Sequence, residues 1–111
     1  KYFGIVVDAM AEVVTNGTAA ASQIKGIIMC GKTGTAQNPT GRNNSLFIAF
    51  APKDNPKIAI SVVVERGGFG SDVAAPIASL MIEKYLTDTI TRPDLEKRLI
   101  NENLIKYVEK K

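Results

Sequence analysis

Histidine and tryptophan are absent from this chain of 111 residues, and cysteine occurs once, at Cys30. The absence of histidine excludes a His-based catalytic triad and, with so few ligands left, a zinc site. A single cysteine excludes a disulfide bond within the chain. Because Cys30 lies in an apolar run, we interpret it as a small buried hydrophobic residue. No metal ion or cofactor is expected.

Concentrated charge and long apolar runs are also lacking. The formal net charge is only +3, and the lysines and arginines are spread along the chain. No basic cluster interleaved with aromatic residues therefore indicates nucleic-acid binding. There is no signal peptide, and no run is long enough to span a membrane. Because the chain begins without Met, in the middle of an apolar pattern, we interpret it as a piece of a longer protein.

Apolar periodicity predicts an α+β fold. Spacings of three and four across Phe3 to Val14 predict a core-packing helix, which Asn16-Gly17 ends. Three apolar stretches with short links predict a three-stranded antiparallel sheet with packed helices. The strands are expected within Ile24 to Ala36, at Ser45 to Ala51 and at Ile58 to Glu65. Since these runs are apolar on both sides, both faces of the sheet are expected to be covered in the intact domain.

The remaining residues predict two more helical segments. Val73 to Leu86 is predicted to be a helix whose inner stripe is Ile77, Leu80, Met81, Lys84 and Tyr85. Pro93 and Asp94 predict a further helix start. The apolar positions after it are Leu95, Leu99, Leu104 and Val108. Residues 91–111 are therefore predicted to form an amphipathic helical tail, mostly solvated because of its charge density, with docking on the rest of the domain or on a partner as the alternative.

The stretch Lys32-Thr33-Gly34-Thr35 carries the strongest chemical signal. Strand alternation puts Thr33 and Thr35 on one side, about 7 Å apart, where both hydroxyls can donate to one carboxylate. Lys32 projects the other way as a fixed positive charge. Gly34 leaves room for another backbone or a substrate. The pattern predicts an anion-recognition strand rather than a nucleophile.

Two other literal motif matches fail on their context, and a third motif is matched only in part. Ser22 to Lys25 fits S-x-x-K, but glycine and a strand-like run follow it, so no helix brings the two side chains onto one face. Gly26 to Thr33 fits the phosphate-binding pattern G-x-x-x-x-G-K-T, but its middle residues predict a strand. Gly67 to Gly70 follows a strand and precedes a helix, yet the third glycine of a dinucleotide-binding motif is missing. We interpret it as a flexible loop.

The K-T-G motif and the segments after it resemble a known family. Asn44 to Pro52, Lys57 to Glu65 and Ala74 to Ala78 follow the motif in the order found in class B penicillin-binding proteins, and the elongation-type penicillin-binding protein 2 is the nearest likeness. The resemblance covers roughly Phe3 to Leu86. It implies a fragment of the serine transpeptidase/β-lactamase-like fold, with residues 1–90 forming the C-terminal part of the transpeptidase domain.

The resemblance implies roles for the motif residues. Lys32 would shape the electric field around the active serine, and Thr33 and Thr35 would hold the carboxylate of D-alanyl-D-alanine or of a β-lactam. The Thr35 N–H would be half of the oxyanion hole. Lys32 and Thr35 are thus the catalytic candidates, and Thr33, Gly34 and Thr35 the substrate-binding ones. The nucleophilic serine and an S-x-N motif are missing, so the chain is expected to be inactive alone.

The resemblance further implies a parent protein that is a peptidoglycan D,D-transpeptidase, anchored by an N-terminal segment at the periplasmic face of the inner membrane. Its partners would be stem peptides, β-lactam antibiotics and membrane proteins of the elongation complex. The alternatives are a β-lactamase or D,D-carboxypeptidase on the same fold, or a non-catalytic sensor.

Two departures from the intact family pattern are expected to matter. Relatives often carry Asp-His where this chain has Asn43-Asn44, which puts any imidazole role there in doubt. The strand at Ile58 to Glu65 would pair, in the family, with a strand that precedes the catalytic serine. Without that partner, the fragment is expected to self-associate through the exposed edge or through a bared helix face.

Overall fold

The computed structural model describes residues 2–102, which contain three α-helices and one three-stranded sheet. Helix α1 (Tyr2–Thr15) is followed by a short 3-10 helix at Ala20–Ser22. The strands are β1 (Cys30–Ala36), β2 (Asn44–Ala51) and β3 (Ile58–Val64). Helices α2 (Ala74–Thr87) and α3 (Pro93–Ile100) complete the order. The predicted α+β fold is confirmed.

The sheet is an antiparallel meander in the order β1-β2-β3. Between β2 and β3 the chain turns through Asn55, which has a positive φ of 54°, and the Lys57 N–H donates to the Ala51 carbonyl at 2.9 Å. The first strand lies in the second half of the range predicted to contain it. Ile24 and Ile27 form only an isolated bridge around a turn, so regular pairing begins at Cys30.

Strand register divides the side chains between two faces of the sheet. One face, which we name the covered face, carries Phe47, Ala49 and Ala51, which are buried in the main hydrophobic cluster together with residues of α2. The opposite side we name the open face. On it, Ile48 is 51% exposed and Val63 is 61% exposed. The expectation that both faces are covered therefore remains a prediction about the intact domain.

Helix α2 packs on the covered face with a different stripe from the predicted one. Its buried residues include Ala75, Ala78 and Ile82, whereas Met81 and Tyr85 are 54% and 66% exposed. Of the five predicted inner positions, Leu80 alone is buried. The small side chains bring the helix close to the sheet, and the large ones are left to line an apolar groove against α3. The predicted inner stripe was wrong.

Helix α1 buries less of its apolar face than predicted. Ala11 and Val14, both in its second half, are buried, whereas Phe3 and Val6 in its first half are exposed. The helix packs mainly against β1. An ion pair of 2.8 Å between Asp8 and Lys53 also ties the helix to the link that follows β2. The hydrogen bond and charge of Asp8 raise the pKa of the Lys53 ammonium.

A buried polar cluster connects α2 with the start of α3. The Glu83 carboxylate, 3% exposed, accepts hydrogen bonds from the Thr91 hydroxyl at 2.6 Å and from the Arg92 guanidinium at 3.1 Å. Arg92 also donates to the Ser79 hydroxyl at 2.8 Å. The helix start predicted at Pro93 is confirmed. Leu104 and Val108, expected on the same tail, lie outside the described residues.

None of the helices within residues 2–102 is both long enough and apolar enough to cross a lipid bilayer. Cys30 is fully buried, and burial raises the pKa of its thiol. A protonated, inaccessible thiol is chemically inert. The interpretation of Cys30 as a structural hydrophobic residue is confirmed.

Candidate active site

The Lys32-Thr33-Gly34-Thr35 motif lies on β1, which is an edge strand of the described sheet. Register pairs Lys32 with Ile48, so the lysine belongs to the open face. Its side chain is exposed, and the ammonium donates a hydrogen bond of 2.8 Å to the Thr33 carbonyl. As an edge strand, β1 also presents backbone N–H and C=O groups that β2 does not pair.

The two threonines of the motif share the covered face, because their cross-strand partners are Phe47 and Ser45. Thr35 is exposed, and Thr33 is half-buried with its hydroxyl 3.1 Å from that of Thr18. Thr18 follows α1 in a loop of small residues, and no pattern in the sequence pointed to it. The covered face of the strand thus offers two hydroxyls beside unpaired edge amides, which are donors suited to a carboxylate, and Lys32 adds a positive charge on the open face.

Gly67–Gly70, which we name the glycine loop, folds onto the motif from the covered face. A Cβ atom added at Gly70 would lie 2.8 Å from the Gly34 carbonyl oxygen and 3.0 Å from the Gly34 nitrogen. No real Cβ approaches backbone atoms so closely, so only glycine fits here. The sequence predicted a flexible loop here and gave no contact for it; in the structure the loop contacts the K-T-G strand directly.

Two side chains of β2 secure this loop and the turn before it. Asn44 accepts a hydrogen bond of 3.0 Å from the Arg66 N–H, and Arg66 adopts a left-handed φ of 57°. Ser45 donates to the Phe69 carbonyl at 2.8 Å. Sequence reasoning singled out Asn44 only for replacing a histidine and gave Ser45 no role. Their contacts lie more than twenty residues away in the chain, and no local pattern signals them.

Neither the S-x-x-K match nor the phosphate-binding match has the helical geometry that its function would need. Ser22 is 1% exposed at the end of the 3-10 helix, and Lys25 lies beyond that helix, so the two do not share a helical face. Lys32 lies within β1 and no helix starts there, as a phosphate-binding loop would require.

A family model described as the penicillin-binding protein transpeptidase domain matches residues 1–83. The chain belongs to this family. The match includes α1, the whole sheet, the glycine loop and most of α2. The α3 segment lies beyond it, and the boundary predicted between residues 90 and 91 stays a prediction.

Two relatives of this chain are named peptidoglycan D,D-transpeptidases. MrdA of Haemophilus influenzae is 37% identical over 84 residues, which are 62% of this chain and 13% of that protein. PbpA of Mycolicibacterium smegmatis is 39% identical over 87 residues, which are 70% of this chain and 17% of that protein. The chain therefore spans less than a fifth of the length of these relatives.

Solved transpeptidases share the architecture. Penicillin-binding protein 2 of Pseudomonas aeruginosa matches with a TM-score of 0.65 and 41% identity, over 73% of this chain and 18% of the other. Penicillin-binding protein A of Mycobacterium tuberculosis, solved as a ceftriaxone acyl-enzyme, matches with a TM-score of 0.67 and 32% identity, over 74% and 20%. These neighbours bear out the serine transpeptidase fold predicted for the fragment.

Proposed function

We propose that the chain forms the K-T-G wall of the active site of a peptidoglycan D,D-transpeptidase. The observation that carries the proposal is the exposed edge strand β1, which presents Lys32, Thr33 and Thr35 in a chain of this family. The activity belongs to the longer parent protein, since the chain supplies a wall and not the attacking serine.

In the proposed reaction, a serine from the rest of the parent attacks the carbonyl of the penultimate D-alanine. The hydroxyls of Thr33 and Thr35 bind the terminal carboxylate, and Lys32 adds positive charge near the serine. The Thr35 N–H donates to the developing oxyanion, a contribution of about 3–4 kcal/mol for a donor of this kind. D-Alanine leaves, and an amine of a neighbouring stem peptide takes up the acyl group.

The same site would accept β-lactams, as the acyl-enzyme of the M. tuberculosis relative supports. Penicillin-binding protein 2 of Helicobacter pylori has been solved in complex with MreC, with a TM-score of 0.57 and 35% identity, over 68% of this chain and 15% of the other. We propose that the parent likewise binds elongation-complex proteins, and that it works at the periplasmic face of the inner membrane on an N-terminal anchor.

The proposal is tested by acylation of the parent protein with a labelled penicillin. Thr35→Ala removes a hydroxyl but keeps the backbone donor, and should cost about 1.5–3 kcal/mol of acylation free energy if that hydroxyl holds a carboxylate. Thr35→Pro removes the N–H itself and should cost about 3–4 kcal/mol. Lys32→Ala deletes the charge of the motif and should be at least as harmful as Thr35→Ala.

Circular dichroism must confirm that each variant is folded, because proline disrupts strands. The isolated chain serves as a control and should form no adduct by intact-mass spectrometry. A folded Lys32→Ala parent that acylates at the wild-type rate would refute the assignment of the motif. Release of free acid without cross-linked product would favour a carboxypeptidase or a β-lactamase instead.

A further inference from the structure

Ser45 is a fully buried serine with two long-range hydrogen bonds. Its hydroxyl donates to the Phe69 carbonyl at 2.8 Å and accepts from the Ala74 N–H at 3.1 Å. The first bond fixes the glycine loop to β2. The second satisfies the Ala74 N–H, which lies in the first turn of α2 and therefore has no acceptor inside the helix. A single hydroxyl thus joins the sheet, the loop and the helix.

Ser45 also lies directly beside the proposed active site. It is the cross-strand partner of Thr35, and both side chains belong to the covered face. The glycine loop that Ser45 holds packs against Gly34, the residue just before Thr35. Gly70 approaches the backbone of Gly34 too closely for any side chain at position 70. The Gly70 carbonyl in turn accepts from the Ala75 N–H at 2.8 Å, so the loop is held on both sides of this contact.

We propose that Ser45 is a positioning residue for the proposed function. By fixing the glycine loop on Gly34, its hydroxyl restrains the backbone of Gly34 and Thr35, where the carboxylate and the oxyanion would be bound. Positioning matters here because a donor stabilises a transition state only when it is held at the site where charge develops. The inference rests on the proposed function, since the restraint matters only if β1 binds substrate.

The competing explanation is a serine that contributes to stability alone. Ser79 provides a matched control, because it is also fully buried and its hydroxyl also has two partners, the Ser22 carbonyl and the Arg92 guanidinium. Ser79 lies in the middle of α2 and bonds to neither the glycine loop nor β1. Replacing either serine by alanine removes a similar pair of buried hydrogen bonds.

The experiment compares Ser45→Ala and Ser79→Ala in the full-length protein. Both should lower the thermal midpoint. Ser45→Ala alone should slow penicillin acylation of the folded protein, by about tenfold, which is the equivalent of one typical hydrogen bond. Ser45→Cys, a weaker donor of similar size, should give an intermediate rate. The Gly67 and Gly68 N–H groups donate to the Val64 and Asn43 carbonyls, so their hydrogen exchange should accelerate in Ser45→Ala and not in Ser79→Ala.

A wild-type rate of acylation in folded Ser45→Ala would overturn the inference, whatever the exchange shows, and so would an equal slowing in Ser79→Ala. If Ser45→Ala does not fold, Ser45→Cys decides: a reduced rate supports the inference and a wild-type rate refutes it. A wild-type protein that fails to acylate at all would overturn the proposed function. The exchange measurement would then still show whether Ser45 holds the loop on the K-T-G strand.

Discussion

Two glycines in β1 differ in what a side chain would meet. A Cβ added at Gly31 would lie 2.9 Å from a ring carbon of Phe47 and 3.0 Å from the Ile48 carbonyl oxygen, and closer still to the tip of the ring. A Cβ at Gly34 would meet only the Leu46 Cβ, at 3.5 Å, an ordinary contact. Gly31 is thus required by packing, whereas the packing of the described residues does not require glycine at position 34.

The first prediction follows from this contrast. Gly31→Ala should destabilise the fold by about 1–3 kcal/mol, because Phe47 is buried and cannot move its ring without opening a cavity. Gly34→Ala should change stability by less than about 0.5 kcal/mol, as typical of uncrowded substitutions. Urea unfolding followed by circular dichroism measures both. Equal midpoints for the two variants would contradict the assignment.

Predictability at the residue scale depended on whether a signal is local. The alternation of Lys32 and Thr33 between faces could be predicted, because strand geometry leaves no other choice. The role of Ser45 could not, since its partners Phe69 and Ala74 are 24 and 29 residues away. A serine in an apolar strand has the same appearance in sequence whether its hydroxyl is bonded or not.

At the scale of elements, the junction between α2 and α3 depends on an ionised carboxylate. Burial alone would raise the pKa of Glu83, but hydrogen bonds from Thr91 and Arg92 and the charge of Arg92 outweigh it, so the pKa is lowered. A lowered folded pKa stabilises the fold above the unfolded pKa of the group. That stability is lost as the pH falls through the folded value.

The second prediction is therefore an acid-dependent loss of stability that Glu83 causes. Glu83→Gln should cost about 2–4 kcal/mol at neutral pH, because it leaves the Arg92 charge without its partner. It should also flatten the decline in stability below the ordinary glutamate pKa. Urea unfolding at a series of pH values measures this. Glu65→Gln, at an exposed position, is the control. An unchanged pH profile in Glu83→Gln would refute the role of this carboxylate.

Prediction of the elements succeeded where hydrophobic contrast was strong and failed where burial used small residues. The three strands and their order were predictable because apolar stretches with short links leave few topologies. The inner face of α2 was not, because Ala75 and Ala78 carry less hydrophobicity than the exposed Met81 and Tyr85. Close packing on a sheet selects small side chains for the buried face of a helix. A prediction that follows the large apolar residues then selects the exposed face instead.

At the scale of the whole molecule, the described part of the chain leaves much apolar surface uncovered. The open face carries Ile48 and Val63, and β3 has no neighbour on its outer side within the described sheet. Phe3 and Val6 on α1 are also exposed. Exposed strand edges with apolar faces are templates for association.

The third prediction is that the isolated chain self-associates. Sedimentation velocity should show oligomers that increase with concentration. Val63→Lys should shift the population towards monomer, because a lysine on an edge strand opposes pairing with another chain. The substitution also removes an exposed apolar side chain from the open face. Thr40→Lys, which adds the same charge in an exposed loop, should not. A wild-type chain that stays monomeric at high concentration would count against association.

The consecutive pairing of the three strands also bears on the speed of folding. Each strand pairs with its neighbour in sequence, across links of seven and six residues between Ala36 and Asn44 and between Ala51 and Ile58. Closing such short loops loses little chain entropy, and topologies of low contact order fold fast. The wall that would receive the substrate can therefore form as an early hairpin unit, on which the glycine loop and α2 dock afterwards.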